Sequence, residues 1–509
     1  MTKSLNTIPE ILAAQDGAAN AIGAPGRGSI SYGALADQAM RIGAALNAGG
    51  IGRGDRVAIV LPNGPEMAAA FLCVAGSASA APLNPAYTRD EFAFYLGDLH
   101  ARAVIVEEGS ASPALKAAAD LGVPVLRVGW DGAEPAGTFR FTAFGLEGRA
   151  GRPGPAQPQD EALVLHTSGT TSRPKVVPLT NANLAASARH IGETLKLSGE
   201  DAGLNIMPLF HIHGLVASLL SSMAAGAHVV CTPGFDALRF FRWFEEARPT
   251  WVTAVPTMHQ AILARARRNQ AALEASRLRF LRSSSSSLPP PVMREMEEVF
   301  GCPVIEAYGM TEAAHQMASS PLPPLPRKPG TVGIAAGPEI ALMDETGALK
   351  GRGGSGEIVI RGPNVFAGYE NNPEANRTAF ANGWFRTGDL GVMDADGYLT
   401  ISGRLKEIIN RGGEKIAPRE VDDVLQDHPA IAQVVTFAVP HDKLGEDVAA
   451  VVVFRDGESA EASELRAFAA ERLAAFKVPS RIIVRDEIPK GATGKLQRIG
   501  LAEKLGLTG

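Results

Sequence analysis

The chain has 509 residues, 45% of them hydrophobic and 20% charged, a globular balance in a chain long enough for more than one domain. Its net charge of -5 leaves no basic footprint and argues against nucleic acid as a partner. Cys73, Cys231 and Cys302 lie far apart without a CxxC pair, which argues against a disulfide framework or a zinc cluster.

Short β-branched runs alternate with Ala/Leu-rich stretches along most of the chain. Arg56–Leu61, Ala103–Val106, Val123–Val128, Ala162–Leu165, Ala227–Val230 and Trp251–Val255 read as buried strands, and the intervening segments as amphipathic helices. This alternation predicts an α/β architecture with mostly parallel sheets. Pro and Gly cluster at Gly151–Pro158 and Pro321–Gly330, which read as connectors. The texture changes near Gly403: strands at Val434–Val439 and Val448–Phe454, a helix at Ser463–Phe476 and a last strand at Arg481–Val484 make a compact α+β pattern of about 100 residues. Met1 to Gly17 lacks the apolar core of a signal peptide, no run approaches the roughly 20 apolar residues of a membrane span, and the final Gly506-Leu507-Thr508-Gly509 is no peroxisomal address. The expectation is a cytoplasmic protein without stable membrane association.

The strongest local signal is Leu165-His166-Thr167-Ser168-Gly169-Thr170-Thr171-Ser172-Arg173-Pro174-Lys175, between a strand and a helix expected at Asn183. Small hydroxyl residues and a Gly let backbone N–H and side-chain O–H groups wrap phosphates, and Lys175 adds a point charge. It is not a Walker A loop, because the second Gly before the Lys is missing. With this loop, the chain resembles the adenylate-forming superfamily of acyl-CoA synthetases, luciferases and peptide-synthetase adenylation domains. The resemblance recurs in order at Tyr308-Gly309-Met310-Thr311-Glu312, at Trp384–Asp389, at Ser402-Gly403-Arg404-Leu405-Lys406 and at Pro489–Lys495.

The resemblance implies a large N-terminal domain (residues 1–403) of two α/β subdomains plus a β-barrel-like region. A hinge (404–406) and a small mobile α+β lid (407–509) follow. It implies that ATP, Mg2+ and coenzyme A take part in activating a carboxylic acid as an acyl-adenylate and passing the acyl group to the thiol. Two anions must meet in the first step, so cations and aligned donors are required. By resemblance, Thr167, Ser168, Gly169, Thr170 and Thr171 contact phosphates beside Lys175. Thr311 contacts the α-phosphate, Glu312 holds the metal, Tyr308 lies against adenine, Asp389 binds the ribose hydroxyls and Arg404 sits near ribose and phosphate. Lys495 enters for adenylation, Lys406 is the hinge, and Gly412, Gly413 and Glu414 approach the pantetheine in the thioester-forming state. The spacing around Lys495 also resembles sites of bacterial lysine acetyltransferases, a regulatory partner whose acetyl group would remove the charge. Lys175 is followed by Val176 where relatives commonly have Gly, and a β-branched residue disfavours positive φ, so the loop exit is expected to be extended.

The acyl pocket falls on Pro208–Gly214, Arg282 with Ser283–Ser287, and Thr311–His315. His211, Ser285 and His315 would offer hydrogen bonds where a fatty-acid pocket would be apolar. The serine run, Arg282, the paired histidines and the His after Glu312 resemble the oxalate–CoA ligases of the superfamily, with His213 open to reading as a core histidine. Malonate-activating relatives carry an Arg directly before the Tyr. Here that residue is Ala307, which removes the bidentate clamp for a distal carboxylate. Another short or aromatic acid, or a carrier protein in place of coenzyme A, stands as the alternative. Sequence gives no oligomeric state.

Overall fold

The computed structural model describes residues 5–167, 174–489 and 498–507. Among these, four sheets organise the chain. The first runs Arg140–Ala143, Val125–Gly129, Ala103–Glu107, Arg56–Val60, Ser79–Pro82, Glu161–Thr167, Lys175–Thr180, with parallel inner pairings and an antiparallel strand at each edge. The second runs Ile334–Ala335, His315–Ser319, Val304–Met310, Phe280–Ser284, Trp251–Ala254, Ala202–Asn205, His228–Cys231, Asn20–Ala24, Arg27–Ser31, and is again parallel at its centre. Both sheets are covered by helices, which is why their strands read as continuous apolar runs. Helix Pro65–Ala75 is buried along its whole length and packs on strands of both sheets, fusing them through one core.

The third sheet is antiparallel, built on Glu339–Met343, Ser355–Arg361, Trp384–Met393 and Leu399–Arg404, and curls as a half-barrel. Beyond it the chain enters a separate small sheet, Glu414–Ile416, Ile409–Arg411, Gly445–Phe454 and Ile431–His441, with Arg481–Val484 added in parallel to Gly445–Phe454. This C-terminal unit has its own cores on the two sides of the sheet. The helix expected over Ser463–Phe476 ends at Ala470 and re-forms as a single 3-10 turn at Ala475–Lys477. Leu473, Phe476 and Val478 pack on the Ile409/Val421/Val448 core, and tertiary burial there overrides continued helix.

Glu306, on Val304–Met310, is buried at 2% exposure and accepts the Leu288 N–H at 3.0 Å. Burial pushes its carboxyl from 4.5 up to about 7, partly offset by that hydrogen bond and by Arg419. A carboxyl raised by folding binds its proton more tightly in the native state, so stability falls as pH rises from about 4.5 to about 7. Glu306→Gln is expected to flatten this fall. Urea midpoints compared at pH 5 and pH 7.5 will read it, and parallel slopes for the two proteins would refute it.

Candidate active site

In parallel sheets the strands' carboxyl ends open towards ligands. Thr167 ends one such strand, and Ala254, Ser284 and Met310 end three others. Of the predicted residues, Thr167, Ser285, Thr311 and Glu312 end or directly follow these strands. Beneath Thr167, His166 Nε2 lies 2.9 Å from Asp98 Oδ2, and its ring packs edge-on against Tyr95. Ser168, Gly169, Thr170 and Thr171 lie outside the described residues, as does Lys495.

Lys175 opens the strand Lys175–Thr180, so the exit of the loop is extended where Val176 stands. That strand ends at Thr180, which forms a reciprocal capping box with Asn183 and starts helix Asn181–Leu195. Lys175 Nζ sits 4.1 Å above the Tyr369 ring, and burial draws it below the usual lysine range. The Tyr369 hydroxyl donates to Glu312 Oε1 at 2.9 Å. Glu312 is itself buried, and burial raises its carboxyl, an effect opposed by the Tyr369 bond and the positive fields of Lys175 and Arg404. Tyr369 therefore touches both Lys175 and Glu312. The sequence reading missed it, and no motif there flags it. Arg56 anchors its neighbour: it pairs with Glu161 at 2.7 Å and with Glu370, whose N–H donates to the Val176 carbonyl.

The half-barrel supplies the opposite wall. Asp389 and Arg404 are register partners on adjacent strands. The Tyr308 hydroxyl donates to one Asp389 oxygen and Arg404 Nε to the other at 2.8 Å, so the three residues meet as one cluster. Thr311 and Glu312 form the 3-10 turn between antiparallel strands Val304–Met310 and His315–Ser319. Among the described residues no cluster of three His, Cys, Asp or Glu could hold a metal. The buried Glu312 carboxylate in the field of Lys175 fits Mg2+, which keeps waters and takes one or two carboxylates plus substrate phosphates.

The segments predicted to form the acyl pocket carry backbone strain. Ser285, Ala314 and His315 have φ of 74°, 48° and 100°. Non-Gly residues in this region are uncommon and gather at functional sites. Ser285 Oγ is 3.1 Å from His213 Nδ1, and the His213 and His315 rings lie 5.0 Å apart. His213 Nε2 lies 2.7 Å from Thr253 Oγ1. His213, one of the paired histidines and open to reading as a core residue, thus touches Ser285. The His211 ring packs at a tilt against Phe210, and its carbonyl accepts the Leu215 N–H. His213 opens an eight-residue π-helix, a form that concentrates at functional sites and is a signal the sequence does not display.

In the small unit, Gly412 and Gly413 turn the hairpin between Ile409–Arg411 and Glu414–Ile416, with φ of 60° and 98°. The pair matches a two-residue turn that needs positive φ twice. Lys406 lies in the turn after Arg404, where the Glu407 N–H donates to the Arg404 carbonyl, and its charge is felt at Lys175.

A family model for AMP-binding enzymes matches residues 10–370, and one for the AMP-binding enzyme C-terminal domain matches 420–495. The chain belongs to the AMP-binding enzyme family. It is 45% identical to the oxalate–CoA ligase of Arabidopsis thaliana, covering 94% of each chain. It is 41% identical to that of Saccharomyces cerevisiae, covering 89% of this chain and 88% of the relative. The ATP-bound structure of MatB from Rhodopseudomonas palustris superimposes with a TM-score of 0.88 at 30% identity, covering 98% of each. This AMP-binding enzyme is an acid–thiol ligase: it joins a small carboxylic acid to coenzyme A through an acyl-adenylate, with ATP and Mg2+. Among the described residues no helix is long and apolar enough to cross a membrane.

Proposed function

We propose that this enzyme ligates oxalate to coenzyme A, releasing AMP and pyrophosphate. The observation that carries the reading is the Ser285–His213–His315 group, two buried histidines beside the half-buried serine that follows a central strand. Buried donors reject an apolar acid that would leave them unpaired, and they suit a second carboxylate bonded directly to the first. Ala307 before Tyr308 leaves no guanidinium for a longer diacid. The 45% identity to an oxalate–CoA ligase supports the same substrate.

In this reading Thr167 and the four residues after it, with Thr311, hold the phosphates, and Asp389 takes the ribose from the cluster it forms with Tyr308 and Arg404. Mg2+ held at Glu312 would polarise the phosphorus under attack. Lys175 offsets charge on the outer phosphates, and Lys495 does so at the α-phosphate. The small domain, hinged at Lys406, then brings Gly412, Gly413 and Glu414 to the thiol. Three buried free cysteines, each pushed up to about 12 by burial, suit a reducing cytoplasm.

The test is coenzyme A-dependent AMP formation across oxalate, malonate, acetate, a medium-chain fatty acid and a cinnamate. Oxalate is expected to lead, and His315→Ala to cut its kcat/KM by about a hundredfold. Faster turnover of the fatty or aromatic acid would overturn the substrate. Adenylation that stalls without thioester formation would point to a carrier-loading enzyme.

A further inference from the structure

Arg282 lies in the middle of the nine-stranded sheet at 0% exposure. Among the described residues no carboxylate pairs with it. Its Nη1 donates to Thr253 Oγ1 at 3.3 Å and its Nη2 to Gln316 Oε1 at 3.2 Å, while Nε has no acceptor. Gln316 is fixed in that orientation because its amide nitrogen donates to Thr194 Oγ1 and to the Ala336 carbonyl. A buried charge without a counter-ion is costly and calls for an explanation. Burial draws the guanidinium down to about 9, which leaves it charged at neutral pH.

We propose that Arg282 is a positioning residue that acts through Thr253 and His213 to aim the Ser285 hydroxyl proton into the acyl pocket, selecting a doubly charged acid. Donor inventory fixes the first bond, and the order of the other two belongs to the proposal. A guanidinium only donates, so Thr253 Oγ1 accepts from Arg282. In this relay the single Thr253 proton goes to the other neighbour, His213 Nε2, 2.7 Å away. The proton of neutral His213 therefore sits on Nδ1 and is donated to Ser285 Oγ at 3.1 Å. Ser285 spends a lone pair on His213, and its own O–H is left to point away from the ring. The left-handed backbone at Ser285 holds that hydroxyl at the strand's end. The pocket thus presents a fixed donor, with a net positive charge behind it. The distal carboxylate of oxalate accepts from that donor and supplies the counter-charge that Arg282 lacks in the protein. A monocarboxylic acid offers neither. This inference rests on the oxalate reading for its ligand, but the proton order rests on the protein alone.

The experiment uses the full-length enzyme and three variants. Thr253→Val keeps the shape and deletes the relay hydroxyl, Thr253→Ser keeps the hydroxyl, and Arg282→Lys keeps a charge. Oxalate is compared with the monocarboxylic acid of the panel that turns over fastest. Thr253→Val is expected to lower kcat/KM for oxalate by about tenfold or more, mainly through KM, and that for the monocarboxylic acid by less than about threefold. Thr253→Ser is expected to restore oxalate to within about threefold, and Arg282→Lys to fall between. Nitrogen-15 spectra of histidine-labelled protein, assigned with His213→Asn, are expected to show the Nδ1–H tautomer in the wild type. Equal losses for both acids, no rescue by Ser, or an Nε2–H tautomer would each overturn the relay. If the wild type does not ligate oxalate, the proposed function falls, and the tautomer still decides the proton order.

Discussion

Glu312→Gln is expected to lose about a hundredfold to a thousandfold in kcat while melting no lower than the wild type. The two halves of this result come from the same burial. Glu312 is enclosed beside Lys175 and Tyr369, and burial raises its carboxyl above the usual range. An acid raised by folding is one whose ionised form the fold disfavours, so at neutral pH the charge lowers stability. Glutamine keeps the shape and still accepts the Tyr369 hydroxyl, now without that charge. What it removes is an anionic oxygen for Mg2+ at the reacting phosphates. Pyrophosphate release and a thermal melt read the two halves separately. Activity within threefold of wild type would refute the role of Glu312. A melting temperature well below wild type would show that the carboxylate serves the fold instead.

The contrast between Glu312 and Tyr369 shows where the sequence is informative. Glu312 sits in a run whose residue order is itself a chemical signature, and the same holds for Lys175, Asp389 and Arg404. The strands are legible for a similar reason. Parallel strands buried on both faces must be nearly all apolar, so Ala103–Glu107 and Trp251–Ala254 announce themselves within a residue or two. Tyr369 carries no such pattern. It reaches Glu312 from 57 residues away because Arg56 fixes Glu370 next to it, a pairing 314 residues apart in the chain. His213 was illegible for another reason. A histidine in an apolar run looks like core, and 2% exposure agrees with that. Its contacts with Thr253 and Ser285, from two different strand ends, separate it from a packing residue. The lid helix was overextended because periodicity continues past Ala470, while Leu473 and Phe476 turn to the core of the small sheet. Local pattern finds elements and motifs, and the contacts that aim the motifs arise between distant strands.

Gly309→Ala is expected to be the most damaging single methyl in the acyl half of the site, costing about 3 kcal/mol of stability. Gly309 lies between Tyr308 and Met310, at a register shift where Val304–Met310 meets His315–Ser319. A Cβ built there would lie 1.9 Å from the His315 carbonyl oxygen and 2.7 Å from its carbon. Both are backbone atoms, so no side-chain rotation relieves the clash, and the strand carrying His315 must move. His315 already has φ of 100° and shares its ring contact with His213. A shift of that strand pulls the ring from the pocket and disturbs Glu312 at the intervening turn. Activity is therefore expected to fall by about a hundredfold even where the protein stays folded, since small misplacements of catalytic groups have effects of that size. Gly97→Ala is the control. Gly97 lies in helix Arg89–Asp98 with no atom within 4 Å of an added Cβ, so alanine there is expected to stabilise by about 0.5–1 kcal/mol. Urea unfolding of both variants, with acyl-CoA formation at a temperature where each is folded, tests the pair. If Gly309→Ala unfolds like wild type and turns over oxalate normally, the close approach of the two strands is not what holds His315 in the pocket.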